Sequence, residues 1–210
     1  DLATGEVTVL YTECDGNPLM GPNDLVFDPA GGMWFTDHGK IRPRERDHGG
    51  IYYAQPDGSS ITEVVYPLES PNGIGLSPEG DRVYVAETHT GRAWAWNVTT
   101  PGVAEGPNPL GPGGGELLVG LPGYQLFDSL GVDGDGWVNI ATLDNGGITS
   151  ISPDGATVEH LATEDPRFPE YLARLLGKPL THGDSYVVHS DGPDAFTAML
   201  AAIDSAQSRI

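Results

Sequence analysis

Pro71-Asn72-Gly73-Ile74-Gly75-Leu76-Ser77-Pro78-Glu79-Gly80-Asp81-Arg82-Val83-Tyr84-Val85-Ala86-Glu87 reads as a short strand, a tight turn closed by glycine, and a second strand. The same pattern stands on either side of it. Upstream it is Pro22-Asn23-Asp24-Leu25-Val26-Phe27-Asp28-Pro29-Ala30-Gly31-Gly32-Met33-Trp34-Phe35-Thr36-Asp37. Downstream it is Phe127-Asp128-Ser129-Leu130-Gly131-Val132-Asp133-Gly134-Asp135-Gly136-Trp137-Val138-Asn139-Ile140-Ala141-Thr142. Each copy is followed by a further hairpin, opened by Gly50-Ile51-Tyr52-Tyr53, Gly91-Arg92-Ala93-Trp94 and Gly147-Ile148-Thr149-Ser150. Four short strands per repeat of about fifty residues make a propeller blade. The reading is an all-β, partial β-propeller of about three blades, with a short α/β tail at the C-terminus.

Asn23, Asn72 and Asp128 occupy equivalent places, 49 and 56 residues apart, each opening a blade. Equivalent positions of successive blades ring the central channel, so the three side chains are expected to converge there. Asparagine and aspartate also start turns for local reasons, but three in register favour a polar or metal-binding channel.

Composition narrows the function. The chain has 210 residues, 30 glycines, 18 prolines and a formal charge of −20. Residues 1–165 hold 25 acidic and 6 basic side chains, a net of −19, and four of those six cations are Lys40, Arg42, Arg44 and Arg46. A body this acidic repels phosphate backbones and anionic lipid, so neither nucleic acid nor a membrane surface is an expected partner. Its carboxylates suit hard cations. The single cysteine, Cys14, excludes an internal disulfide. No apolar run reaches transmembrane length and no signal peptide opens the chain, so a cytoplasmic location is expected, with a periplasmic or secreted one left open. Oligomeric state is not legible.

The repeats carry a resemblance. Gly21-Pro22-Asn23-Asp24 with Phe35-Thr36-Asp37, Ser70-Pro71-Asn72-Gly73 with Val83-Tyr84-Val85-Ala86-Glu87, and Phe127-Asp128-Ser129-Leu130 with Gly146-Gly147-Ile148 resemble the senescence marker protein/gluconolactonase/luciferin-regenerating enzyme-like family, over roughly residues 5–165. The resemblance implies a six-bladed ring with one divalent metal at the channel mouth, calcium first and zinc or magnesium as alternatives. It implies Asn72 and Asp128 as metal ligands, Asp128 also as the catalytic base, and Asn23 close to metal and substrate. His38, following Thr36-Asp37, is placed beside the substrate. The implied reaction is metal-dependent opening of a sugar-acid or similar lactone. The family's first-blade glutamate and the blades after residue 165 have no counterpart here, so metal binding and turnover are expected to be impaired in a truncated chain. The alternatives are a non-catalytic propeller fragment acting as a binding module, or the N-terminal part of a fusion to a phospholipase D-type lipid enzyme.

Other stretches read as scaffold: residues 40–46 and 100–115 as loops between strands, and Asp133-Gly134-Asp135-Gly136 as a hairpin turn without the later acids of a calcium loop. Beyond Asp165 the period stops, which divides the chain into a propeller part, 1–165, and a tail, 166–210. The tail predicts a helix over 166–177, a strand over 185–189 and a helix over 194–210. From about residue 168 it resembles the start of a phospholipase D/cardiolipin synthase-type domain without that family's histidine–lysine catalytic motif.

Overall fold

The structure is a computed structural model that describes residues 5–175. The chain divides into two compact units, Asp1–Phe168 and Pro169–Ile210. A helix, α1 (Phe168–Leu175), lies where the spacing beyond Pro166 predicts one. The strand read at 185–189, the helix read at 194–210 and most of the phospholipase D-type resemblance lie outside the described residues.

A small hairpin of β1 (Glu13–Cys14) and β2 (Asn17–Pro18) precedes the first blade. That blade pairs β3 (Pro22–Phe27) with β4 (Met33–Asp37) and, beyond a two-stranded ribbon of β5 (Ile41–Arg42) and β6 (Glu45–Arg46), adds β7 (Gly49–Ala54) and β8 (Ile61–Leu68) in the order β3-β4-β7-β8. The second blade runs β9 (Pro71–Leu76), β10 (Arg82–Glu87) and β11 (Arg92–Thr100); its outermost place is shared along β11 by β12 (Val103–Glu105) and β13 (Glu116–Gly120). The third is β14 (Phe127–Val132), β15 (Val138–Thr142), β16 (Gly147–Ile151) and β17 (Val158–Ala162), again in chain order. All pairings are antiparallel. These are three blades of a propeller, with the innermost strands β3, β9 and β14 lying side by side.

Two loop readings need correction. Residues 40–46 are not a plain loop but the β5–β6 ribbon, tied by Arg42, whose Nη1 and Nη2 donate to Asp47 at 2.7 and 3.1 Å. Within residues 100–115 the chain forms β12 and a 3-10 turn at Pro112–Gly114, whose Pro112 carbonyl accepts the buried Trp96 Nε1–H at 3.0 Å. An indole buried in the blade interface needs such a partner, which spacing alone does not announce. The hairpin turn at Asp133–Gly136 has Asp133 Oδ1 accepting the N–H groups of Asp135 and Trp137, with Gly136 at φ 83°.

Strand alternation assembles the core. Val83 and Val85 of β10 face the first blade and pack with Trp34, Ile51 and Tyr53. Tyr84 and Ala86, between and after them, face the third blade and meet Phe127, Val138 and Ile140. Each large apolar side chain removed from water in this way contributes roughly 1.5–3 kcal/mol. β10 is therefore apolar on both faces, as its near-continuous hydrophobic run demands.

Gly73 sets how closely the second and third blades approach. A Cβ there would stand 2.5 Å from Leu130 Cβ and 2.6 Å from the Asp128 carbonyl oxygen. Gly73→Ala is expected to destabilise the chain by about 1–3 kcal/mol through overpacking, lowering Tm by roughly 2–4 °C per kcal/mol. Gly131→Ala, whose Cβ would meet nothing within 4 Å, should leave Tm unchanged or higher. Thermal melts followed by circular dichroism check the pair.

Candidate functional site

One end of the three blades is built by a repeated device. Pro22 pairs with Asp37, Pro71 with Glu87 and Phe127 with Thr142, so the start of each innermost strand lies beside the end of the second. Just beyond, the backbone N–H groups of His38, Thr88 and Leu143 donate to the carbonyls of Gly21, Ser70 and Leu126 at 2.9, 3.0 and 3.1 Å. Ser70 and Leu126 have φ of 54° and 51°, the left-handed region that residues with a Cβ seldom occupy. Each innermost strand then carries one extra residue relative to its partner, between Pro22 and Leu25, Pro71 and Ile74, and Phe127 and Leu130. Such bulges re-aim side chains. The residues they re-aim include Asn23, Asn72 and Asp128.

Two of those three meet. Asn72 Nδ2 donates to Asp128 Oδ1 at 2.9 Å across the blade interface and to Thr88 Oγ1 at 3.1 Å within its own blade. Both amide protons are thereby used. Asn72 is only 6 % exposed, and its Oδ1 is buried with no hydrogen-bond partner. A buried carbonyl left unpaired costs about 1–3 kcal/mol, so the position is set for a ligand that accepts electron pairs from oxygen. Asp128 is half-buried, and its Oδ2 makes no hydrogen bond with the described residues. The first blade clamps the backbone around Asn72: Thr36 Oγ1–H donates to the Asn72 carbonyl at 2.6 Å, and the Ile74 N–H donates to Asp24 Oδ2 at 3.2 Å.

Two further acids at this end, Asp37 and Glu87, are committed to the scaffold. Asp37 accepts the N–H groups of Met20, Gly21 and Gly39, and Glu87 accepts that of Glu69 and the hydroxyl of Thr90. No group of three His, Cys, Asp or Glu side chains suited to a metal occurs among the described residues. Any cation here would rest on the Asn72 amide oxygen and the Asp128 carboxylate.

Asn23 is exposed and makes no hydrogen bond to Asn72 or Asp128 among the described residues; it lines a cavity of about 340 Å³ walled mainly by apolar side chains, among them Leu10, Leu25, Met33 and Phe35. His38 is half-buried, with Nδ1 3.1 Å from the Gly39 carbonyl oxygen, and its ring centroid lies 6.1 Å from that of His89. Burial first, then the positive charges of Arg46 and His38, hold His89 below the ordinary histidine range. Asp24 stands in the first repeat with no site role assigned by spacing, and Thr88 and His89 lie just past the second repeat. Thr88 is marked by the repeat itself, because Glu87-Thr88 has the register of Asp37-His38.

The residues 1–169 match the SMP-30/gluconolactonase/LRE-like region, and the chain belongs to that family. A lactonase drp35 of Staphylococcus saprophyticus is 29 % identical over 136 residues, which are 65 % of this chain and 40 % of the relative. Among solved structures, a gluconolactonase of Xanthomonas campestris superposes with a TM-score of 0.60 at 25 % identity, over 77 % of this chain and 54 % of the other. A calcium-binding protein, regucalcin, of Agrobacterium tumefaciens superposes with a TM-score of 0.52 at 25 % identity, over 67 % and 44 %. The chain thus spans about 40 % of the length of the curated relatives it matches.

The lowered proton affinity of His89 has a signed consequence. The unfolded chain takes up this proton near pH 6.5, the folded chain only at lower pH. The associated stability is complete above pH 6.5 and is lost as pH falls through the folded value. An NMR titration should place the His89 midpoint below 6.5, and Arg46→Gln should move it upward.

Proposed function

We propose that this chain carries the metal- and substrate-binding centre of a metal-dependent hydrolase that opens a sugar-acid or similar lactone. One observation carries the reading: Asn72, whose Nδ2 donates to the Asp128 carboxylate, keeps a buried Oδ1 with no partner, at the end of the channel-lining strands. The donor set fits a hard cation, since each group offers an oxygen, Asn72 Oδ1 and Asp128 Oδ2, that accepts no hydrogen bond among the described residues. Asn72 Oδ1 and Asp128 would hold one divalent ion, with calcium the best match to oxygen donors and magnesium or zinc as alternatives. When bound, such an ion acts as a Lewis acid on the lactone carbonyl.

The chain's own residues supply the proton transfers. Asp128 Oδ2 takes a proton from a water molecule as the water oxygen adds to the carbonyl carbon. The ring C–O bond then breaks, and the proton on Asp128 passes to the departing alkoxide, leaving the open hydroxy acid. Asn72 Nδ2, donating to Asp128 Oδ1, holds the carboxylate so that Oδ2 faces the reacting water. Asn23 and His38 bind the substrate at the rim. Two protein oxygens fall well short of the about six to eight ligands calcium takes, so this chain is expected to hold the ion weakly and turn over slowly.

Calcium titration calorimetry and a lactone-hydrolysis assay on the whole chain test this. Asp128→Ala should lose ion binding and reduce turnover by about 10²–10⁴-fold together, the range for loss of a positioned base. Asp128→Asn, which keeps the shape, should lose the base function as well. A rate unchanged in Asp128→Ala would sink the reading.

A further inference from the structure

The cations of this acidic chain are gathered where the proposed site opens. The connection between β4 and β7 leaves from the end of the blade that carries Asp37 and returns beside it, since Asp37 pairs with Gly50. It carries Lys40, Arg42, Arg44 and Arg46, four of the six cations in a body of net charge −19. It is an ordered ribbon: Arg42 forks onto Asp47, the Lys40 N–H donates to the Asp47 carboxylate at 3.2 Å, and the Asp47 N–H donates to the Lys40 carbonyl at 3.0 Å. Arg42 is thereby neutralised.

Arg44 and Arg46 are not. Neither guanidinium makes an ion pair or a hydrogen bond among the described residues, although acids outnumber bases three to one in the sequence. The His38 and His89 rings lie 6.1 Å apart at this end, and the positive charges of Arg46 and His38 add to burial in disfavouring a proton on His89. His89 in turn follows Thr88, whose hydroxyl oxygen accepts the Asn72 amide. A like-charged group held together beside a polar centre is unfavourable until an anion joins it.

We infer that Arg46, His38 and His89, with Arg44 exposed on the same ribbon, form an anion subsite at the rim, and that the substrate is a lactone bearing a carboxylate. The inference deepens the lactonase reading and rests on it for the word substrate, but not for the subsite. A carboxylate suits the planar guanidinium fork, which binds it through two parallel hydrogen bonds. A dianionic phosphate would suffer about twice the repulsion from the acidic body, so the single charge is favoured.

The test uses the whole chain and unreactive ligands. D-glucuronate and D-glucose differ in a carboxylate at one carbon, and neither is a lactone. Imidazole NMR should show D-glucuronate shifting His38 and His89 and raising the His89 midpoint, while D-glucose at equal concentration leaves both unmoved. Arg44→Gln/Arg46→Gln should weaken D-glucuronate binding about tenfold or more, with circular dichroism showing that the surface ribbon and fold persist; Arg46→Lys should recover part of it. In hydrolysis, the wild-type chain should prefer D-glucaro-1,4-lactone to D-glucono-1,4-lactone in kcat/KM, and the double variant should lose that preference. Equal shifts by D-glucose and D-glucuronate, or undiminished binding in the double variant, would overturn the subsite. Tighter binding of D-glucose 6-phosphate than of D-glucuronate would overturn the choice of a carboxylate. The two proposals fail separately: D-glucuronate binding with no hydrolysis of either lactone removes the lactonase reading and leaves the subsite standing.

Discussion

The close approach of β9 to β14 is the constraint on which the rest depends. Sheets of a propeller stack through their innermost strands, and here the stacking distance is set where β9 has hydrogen atoms in place of side chains at Gly73 and Gly75. That gap lets Leu130 and Val132 settle against β9 and lets the large side chains of the interface, Tyr84, Phe127 and Ile140, close over one another. It also brings Asn72 and Asp128, 56 residues apart in the chain, within 2.9 Å. Packing and chemistry are thus consequences of one contact. Apolar burial holds the blades together, and the polar pair is carried on the strands that the burial aligns.

The polar end of the blades follows a second rule, that buried backbone donors are matched before any group is left for function. Asp37 and Glu87 are spent on this task, binding the N–H groups of the segments that enter their blades. Thr142, at the corresponding place in the third blade, bonds to Thr149 instead. Asp128 differs from Asp37 and Glu87 in keeping an oxygen that the scaffold does not use, and Asn72 keeps a buried carbonyl that it does not satisfy. The left-handed backbone at Ser70 and Leu126 stands two residues before this pair, where strain is often stored at working sites.

Charge organises the approach to the site. The body is acidic almost everywhere, and its few cations are concentrated in one ribbon. Asp47 folds that ribbon by binding Arg42 and the Lys40 backbone, which leaves Arg44 and Arg46 exposed beside the channel end. A field of one sign with a small patch of the other draws anions to a single place, and the effect weakens as salt rises.

The sequence by itself determined the blade. Glycine turns at Gly31, Gly80 and Gly136, the strand pairs around them and the recurrence of Asn23, Asn72 and Asp128 are local in origin, so the repeat and its family were legible without coordinates. Only the tertiary structure decided which equivalent positions meet. Asn72 and Asp128 meet because a blade lies on each side of β9, whereas Asn23 stands exposed on β3 beside an apolar cavity. It also decided that residues 40–46 form a ribbon, because that depends on Asp47 folding back onto Arg42, and that Thr88 and His89 border the site. Those facts depend on side chains crossing between strands and blades, and neither hydrophobic period nor turn chemistry encodes such crossings.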